Sequence, residues 1–158
     1  MNITIRQADT GDFETTLPLQ GEIADLHCEG RPDLFREGHI CYPREVFEEF
    51  VSRDDRVVLL AEADGQTAGF LFALIRHVKN HRVMKDQSMI YVDDLCVAEA
   101  YRRHGIGSLL LKEAEKIGIS HGCTRMGLDV QAFNSDAVRF YEAVGFMPRK
   151  ITMEKDIF

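Results

Sequence analysis

Residues 88–111 constrain the fold more than any other stretch of this 158-residue chain. Residues 89–97 are apolar on both faces and rich in strand-forming types, which is typical of a central strand covered on both sides. The residues after Gly105 have the periodicity of an amphipathic helix. The predicted inward face of that helix consists of Ile106, Leu109, Leu110, Ala114 and Ile117.

A short basic loop, Arg102-Arg103-His104, joins this strand to the helix, and Gly105 and Gly107 follow it. The first N–H groups of a helix have no partner within the helix, and the helix dipole is positive at that end. Glycine lets a phosphate group approach the backbone closely. The loop therefore predicts an anion site, and we expect the chain to be organised around a phosphate-bearing ligand.

The chain is predicted to be one domain spanning residues 1–158, with the composition of an ordinary globular protein. Its formal charge of −7 argues against nucleic acid as a partner. The four cysteines lack C-x-x-C spacing, which favours free thiols in a reducing compartment. No apolar run has signal-peptide or membrane-spanning length, so we expect a cytoplasmic protein without a membrane partner.

The remaining sequence predicts alternating helices and strands. Strands are expected near residue 3, over 57–63 and 67–78 as a hairpin, over 124–130, and finally over 146–155. Helices are expected over about 12–29 and 43–51, and after Asn134, which is a suitable N-cap residue. This order predicts an α/β fold, a mixed sheet with helices on both faces.

Two nucleotide-binding motifs are excluded by single positions. A dinucleotide fingerprint starting at Gly105 needs glycine at position 110, which is Leu110, and a P-loop also needs lysine at position 111, which is Leu111. The remaining motif is Arg102-x-x-Gly105-x-Gly107 after a strand, and a second block spans residues 134–146, Asn-Ser-Asp-Ala-Val-Arg-Phe-Tyr-Glu-Ala-Val-Gly-Phe. With both pieces, the chain resembles the GNAT family of N-acetyltransferases.

The resemblance implies a mostly antiparallel mixed sheet whose fourth and fifth strands, a parallel pair, splay apart. It also implies acetyl-CoA as cosubstrate, with the pantetheine arm in the wedge between those strands and the pyrophosphate on the loop amides. The implied contacts to acetyl-CoA are Leu95, Cys96, Val97, Arg102, Arg103, His104, Gly105, Ile106, Gly107, Ser108, Asn134 and Tyr141. Asn134 is expected both to cap its helix and to contact the arm.

Tyr141 lies on the inward face of its predicted helix, as an ordinary core tyrosine does. By the resemblance, its hydroxyl instead protonates the leaving thiolate. The thioester oxygen would be polarised by a backbone amide of the fourth strand, with Val97 as the candidate. Cys96 is interpreted as a buried strand residue rather than a nucleophile, because no activating histidine lies near it in sequence.

The general base stays open between three carboxylates and a water chain. An ammonium acceptor, with a pKa of about 10, must lose a proton before it attacks a thioester. Asp129 is the first candidate, because it lies on the same side of its strand as Gly127, which leaves space, and Asp93 is the second. In an unbulged strand Asp94 points to the opposite face from Asp93, and its apolar surroundings there would raise its pKa.

The predicted function is direct transfer of the acetyl group to a primary amine of a small molecule or peptide, without a metal. By family resemblance a homodimer is possible. A CoA-binding regulatory module without turnover is the main alternative, and a phosphate-binding receiver-like domain using Asp93 and Asp94 is another.

Overall fold

The computed structural model describes all 158 residues and has a single five-stranded sheet at its centre. The strands are β1 (Ile3–Gln7), β2 (Arg56–Ala63), β3 (Gln66–Val78), β4 (Gln87–Val97) and β5 (Arg125–Leu128), adjacent in that order. Strands β1 to β4 pair antiparallel, whereas β5 pairs parallel with β4. The predicted fold class, a mixed and mostly antiparallel sheet ending in a parallel pair, is confirmed.

Four α-helices cover both faces of the sheet, as predicted. They are α1 (Phe13–Gly30), α2 (Arg44–Ser52), α3 (Ile106–Ser120) and α4 (Ser135–Ala143), and short 3-10 turns span Thr10–Asp12 and Glu99–Tyr101. One core lies between the sheet and α1 and α2 and is rich in phenylalanine: Phe13, Phe47, Phe50, Phe70 and Phe72. The other core lies under α3 and is aliphatic, and α4 packs against it through Phe140 and Tyr141.

The β2–β3 hairpin and α3 lie where the sequence predicts them, but the buried face of α3 differs in one position from the predicted face. Asp64 and Gly65 form the β2–β3 turn with φ of 50° and 82°, the left-handed values that a two-residue hairpin requires. On α3 the inward face is turned slightly from the predicted one. Leu111 is buried there, whereas Leu109 is 38% exposed.

Two predicted strands differ from the structure. The strand expected over 124–130 ends at Leu128, because β4 offers no partner beyond that residue. The strand expected over 146–155 is wrong. Residues 147–158 make no backbone hydrogen bond, so their alternating apolar pattern is not matched by a neighbouring strand.

No helix of the structure is both long and apolar enough to cross a lipid bilayer. All four cysteines are free thiols, two of them buried: Cys96 and Cys123.

Candidate active site

Strands β4 and β5 separate in the middle of β4. Their register runs from Met89 paired with Arg125 to Val92 paired with Leu128, and stops there. At the same point β4 carries a bulge against β3, since Val92 pairs with Ala73 and Asp94 pairs with Phe72, leaving Asp93 as the extra residue. The second half of β4 therefore borders an open wedge on the β5 side.

The second half of β4 presents backbone groups to this wedge that no neighbouring strand pairs with. Ala98 donates its N–H to the Ala68 carbonyl on the β3 side at 2.8 Å. Because backbone groups alternate along an antiparallel strand, those of Leu95 and Val97 point to the opposite side, into the wedge. The side chain of Cys96, which lies between these two residues, is buried in the core under α1 and α2. Leu95 and Val97 are thus placed to pair with an extended, amide-bearing ligand.

The turn before α3 leaves a run of amides without partners. None of the backbone N–H groups of residues 103–108 donates a hydrogen bond within the protein, and the first bonded one is Leu109, to the Gly105 carbonyl at 3.1 Å. Arg103 and Gly105 have left-handed φ values of 66° and 77°, which turn successive amides toward one side. With the positive end of the helix dipole, these amides suit a diphosphate.

The side chains of the basic loop do not all point toward these amides. Arg102 donates from Nε to the Val97 carbonyl at 3.0 Å, and its other end lies 3.3 Å from the Glu22 carboxylate on α1. The guanidinium therefore ties the loop to β4 and α1. His104 is exposed and its Nδ1 lies 3.2 Å from the Tyr101 carbonyl. The Arg103 side chain is exposed beside the unpaired amides.

Tyr141 on α4 packs against the aliphatic core, within reach of the charge of Asp94, which follows the last β4–β5 pair. Burial raises the pKa of Tyr141 to about 12, and the charges of Asp94 and Cys96 add to the effect. Burial also raises the pKa of Asp94 to about 7, with the neighbouring Asp93 charge as the second cause. The site thus combines a hydroxyl that keeps its proton at neutral pH with a carboxyl that titrates there.

The bulge brings Asp93 and Asp94 to the same face of the sheet. Val92 packs in the aliphatic core and Cys96 in the phenylalanine core, so alternation from either side places both aspartates on the face of α1 and α2. The placement expected for an unbulged strand, with Asp94 on the face of Ile90 and Val92, does not apply, because β4 carries the bulge. The raised pKa expected for Asp94 is found, but it arises on the other face.

Asp93 has a partner that the sequence did not reveal. The hydroxyl of Tyr42 donates to Asp93 Oδ2 at 2.6 Å. Tyr42 lies in the irregular segment between α1 and α2, far from β4 in sequence, and only the tertiary fold brings them together. No periodicity or motif around Tyr42 signals this contact.

Asp129 lies beside Tyr91 of β4. Asp129 follows the end of β5 and is exposed. Burial raises the pKa of Tyr91, and the interaction with the Asp129 carboxylate raises it further. The Arg76 guanidinium lies over the Tyr91 ring at 3.6 Å. The space expected beside Gly127 is occupied, since a Cβ there would come within 3.0 Å of the Met89 methyl.

Two further predicted contacts occupy suitable positions. Asn134 accepts a hydrogen bond from the Ala137 N–H at 3.2 Å, so its predicted capping role is confirmed. Its contact with the pantetheine arm stays a prediction. Gly107 lies against α4, where a Cβ would come within 2.9 Å of the Phe140 ring. No three His, Cys, Asp or Glu side chains are grouped as metal ligands.

Comparison with known proteins places this geometry in a family. Residues 22–146 match the model of the acetyltransferase (GNAT) family. The thialysine N-epsilon-acetyltransferase of Bos taurus is 36% identical over 144 residues, which are 90% of this chain and 83% of that protein.

Solved structures agree. A tetramutant of the BH1408 protein of Bacillus halodurans superposes with a TM-score of 0.92 at 27% identity, over 98% of this chain and 99% of that one. AAC(6')-Iy, an aminoglycoside N-acetyltransferase, was solved with the bisubstrate analogue CoA-S-monomethyl-acetylneamine. It has a TM-score of 0.72 at 23% identity, covering 99% and 100% of the two chains, and so shows the common fold.

The fold and the family match together define an acyltransferase. This chain belongs to the GNAT family of acetyltransferases.

Proposed function

We propose that this protein transfers the acetyl group of acetyl-CoA directly to a primary amine within a ternary complex. The observation that carries the proposal is the position of Tyr141 and Asp94 at the point where β4 and β5 separate. A proton donor and a proton acceptor are both needed there, one for the leaving thiolate and one for the attacking ammonium group.

The amides of residues 103–108 are proposed to hold the diphosphate of acetyl-CoA, and the backbone of Leu95 and Val97 its pantetheine arm. The unpaired donors at the turn and the open edge of β4 support this fit. AAC(6')-Iy, which has the same fold, was solved with an analogue containing CoA. When bound, acetyl-CoA supplies an activated acetyl group, and the chain supplies its orientation.

The residues then have distinct proposed tasks. A carboxylate near the wedge, directly or through water, takes the proton from the acceptor's ammonium group. The freed nitrogen forms the new C–N bond, the C–S bond breaks, and the Tyr141 hydroxyl gives its proton to the thiolate sulfur. The second proton that the nitrogen loses as it becomes an amide returns through water to the Tyr141 oxygen. The Val97 N–H is the proposed donor to the thioester oxygen. Of the carboxylates, Asp94 now has the strongest support, because its pKa of about 7 suits a base at neutral pH.

A covalent intermediate on Cys96 is disfavoured. Burial raises the pKa of the Cys96 thiol to about 12, with Glu22 and Asp94 adding to it, so the thiolate needed for attack is scarce at neutral pH. The Cys96 Sγ is also directed to the Leu19 carbonyl at 3.6 Å, away from the wedge. Direct transfer is therefore the simpler proposal.

The test is release of free thiol from acetyl-CoA by the purified protein in the presence of candidate amines. The panel includes amino acids, thialysine, polyamines, aminoglycosides and peptide N-termini. We expect thiol release that depends on one of these classes. Saturable acetyl-CoA binding with no thiol release on the whole panel would instead support the regulatory-module alternative. The receiver-like alternative is wrong, because such domains have parallel sheets and four of these strands are antiparallel.

A homodimer is also proposed. The C-terminal segment, residues 147–158, exposes five large apolar side chains in the isolated chain: Met147, Ile151, Met153, Ile157 and Phe158. Four of them have odd numbers, as on one face of a strand, and the outer edge of β5 has no neighbour. A second copy would cover both surfaces. The cytoplasmic location and the lack of a nucleic acid partner stay predictions.

A further inference from the structure

Tyr42 is held unusually firmly for a residue in an irregular segment. Its side chain is stacked on the Phe72 ring, with centroids 3.7 Å apart and planes 9° apart, and it meets Phe50 edge-on at 5.5 Å. The whole residue is only 3% exposed. The ring therefore has little freedom to rotate, and its hydroxyl is aimed at a fixed point.

The backbone of Tyr42 is fixed by a second set of contacts. The Gln20 side chain on α1 donates to the Tyr42 carbonyl at 3.1 Å and accepts from the Tyr42 N–H at 2.9 Å. Gln20 is itself buried, and its amide also lies 3.1 Å from the Thr16 hydroxyl. Buried polar groups are costly unless paired, so this complete pairing anchors the segment to α1.

The point at which the hydroxyl is aimed is the bulge of β4. Asp93 is the extra residue of that bulge and its side chain is exposed, so without a partner it would be free to rotate into solvent. The 2.6 Å hydrogen bond from Tyr42 holds it instead. Besides burial, the groups that raise the pKa of Tyr42 are Asp94, Asp93 and the Cys41 thiol, and Asp93 is the one that accepts its hydrogen bond.

We propose that Tyr42 is a positioning residue for amine acetylation: its hydroxyl fixes the Asp93 carboxylate beside Asp94, so that both carboxylates face the incoming ammonium group. This role rests on the proposed function. Tyr42 takes no part in bond breaking, and the acceptor's proton passes to the aspartate pair or to water. The segment before α2 is thereby linked to the chemistry at the wedge.

The test is a double-mutant cycle of Tyr42→Phe and Asp93→Asn, read as kcat/KM for the best amine of the panel. Tyr42→Phe keeps the ring that stacks on Phe72. A hydrogen bond to a carboxylate contributes enough that we expect each single change to lower kcat/KM about tenfold. The double variant should be within about twofold of Asp93→Asn, because Tyr42 acts only through Asp93. The KM for acetyl-CoA should stay near the wild-type value.

Tyr91→Phe is the matched control, since Tyr91 is a β4 tyrosine whose hydroxyl interacts mainly with the carboxylate of Asp129, while Asp93 acts on it only through its charge. It should leave the rate nearly unchanged. Multiplicative losses in the Tyr42 cycle would overturn the proposal, because they would indicate a structural effect independent of Asp93. A Tyr42→Phe variant with wild-type kcat/KM would overturn it as well.

A readout without turnover separates this proposal from the proposed function. In carboxyl-detected NMR of the free protein, Tyr42→Phe should shift the titration midpoint of Asp94 downward, because a mobile Asp93 imposes less negative charge on it. The Asp94 midpoint should not move in Tyr91→Phe. If the amine panel gave no thiol release, this shift would still support the Tyr42–Asp93 link, and an unmoved midpoint would contradict it.

Discussion

Tyr141 is the residue on which proton transfer to the thiolate depends in the proposed mechanism. Its hydroxyl keeps its proton at neutral pH, because burial raises its pKa to about 12. We predict that Tyr141→Phe lowers kcat for thiol release more than tenfold, since general acid catalysis contributes about 10²- to 10⁴-fold. The ring remains, so acetyl-CoA affinity measured by calorimetry should change little. A kcat equal to that of the wild type would remove Tyr141 from the mechanism.

Asp94 makes stability depend on pH in a predictable direction. Its pKa is about 7 in the folded chain against 3.8 as the ordinary value, so between these pH values the folded chain binds more protons than the unfolded one. The contribution of Asp94 to the free energy of unfolding is therefore fully present below about pH 4, and it is lost as the pH rises toward and through 7. In Asp94→Asn this decrease should be absent, so the variant should gain stability relative to the wild type at pH 8.

The measurement is the Tm of both proteins between pH 5 and pH 8.5, with Asp129→Asn as the control because Asp129 is exposed. We expect the Tm difference between Asp94→Asn and the wild type to grow with pH, and the control difference to stay flat. A pH-independent difference for Asp94→Asn would contradict the burial of this carboxyl.

For single residues, the sequence predicted the positions that depend on local spacing and missed those that depend on the tertiary fold. Asn134 as a helix cap and Tyr141 on the inward face of α4 follow from local spacing. The shared face of Asp93 and Asp94 does not, because it depends on a bulge that strand periodicity cannot reveal. Tyr42 reaches Asp93 across 51 positions of the chain, and neither residue carries a local sign of the other.

The turn at the start of α3 is the element that defines the proposed diphosphate site. Gly105 has a left-handed φ of 77°, and a Cβ there would meet nothing within 4 Å, so an added methyl group costs only backbone strain. We predict that Gly105→Ala lowers the free energy of unfolding by about 1 kcal/mol and weakens CoA binding at least tenfold, because the turned amides lose their common direction.

Gly122, at the other end of α3, provides a control of the same kind. Its φ is 78° and it is equally open, so Gly122→Ala should destabilise the protein by a similar amount. Calorimetric CoA affinity should be unchanged in Gly122→Ala. Equal losses of affinity in the two variants would mean that α3 stability, and not the turn, determines binding.

Sequence patterns predict where some helices and strands begin but not where all of them end. The start of α3 at Ile106 and the interior position of β4, between β3 and β5, follow from apolar periodicity and the glycine-bearing loop. The end of β5 at Leu128 does not, because Val130 still favours an extended backbone while β4 has already turned away at its bulge. The wedge is thus a property of two strands together.

At the scale of the whole molecule, the sheet and its two helical layers could be predicted because helices and strands alternate in the sequence with clear boundaries. The last strand could not, because strand formation requires a partner as well as a pattern. Residues 147–158 alternate as a strand does, yet in the isolated chain they make no backbone hydrogen bond. Glu154 forms an ion pair with Arg31 at the end of α1, which holds the segment near the protein.

A second copy of the chain is the proposed partner for this segment. Met153 is 88% exposed and Ile151 is 83% exposed, values that rarely persist together on a monomer surface. We predict that the wild-type protein is a dimer by light scattering coupled to gel filtration. The double substitution Ile151→Lys with Met153→Lys should give a monomer, because two charges would be buried in the contact.

Thr152→Lys is the control, since position 152 points to the opposite side in an extended segment and should leave the dimer intact. Dissociation by Thr152→Lys as well would mean that added positive charge alone disfavours association. A monomeric wild type would contradict the homodimer. Because none of the predicted acetyl-CoA contacts lies in residues 147–158, the monomeric variant should still bind CoA, so a parallel CoA titration separates loss of assembly from loss of the fold.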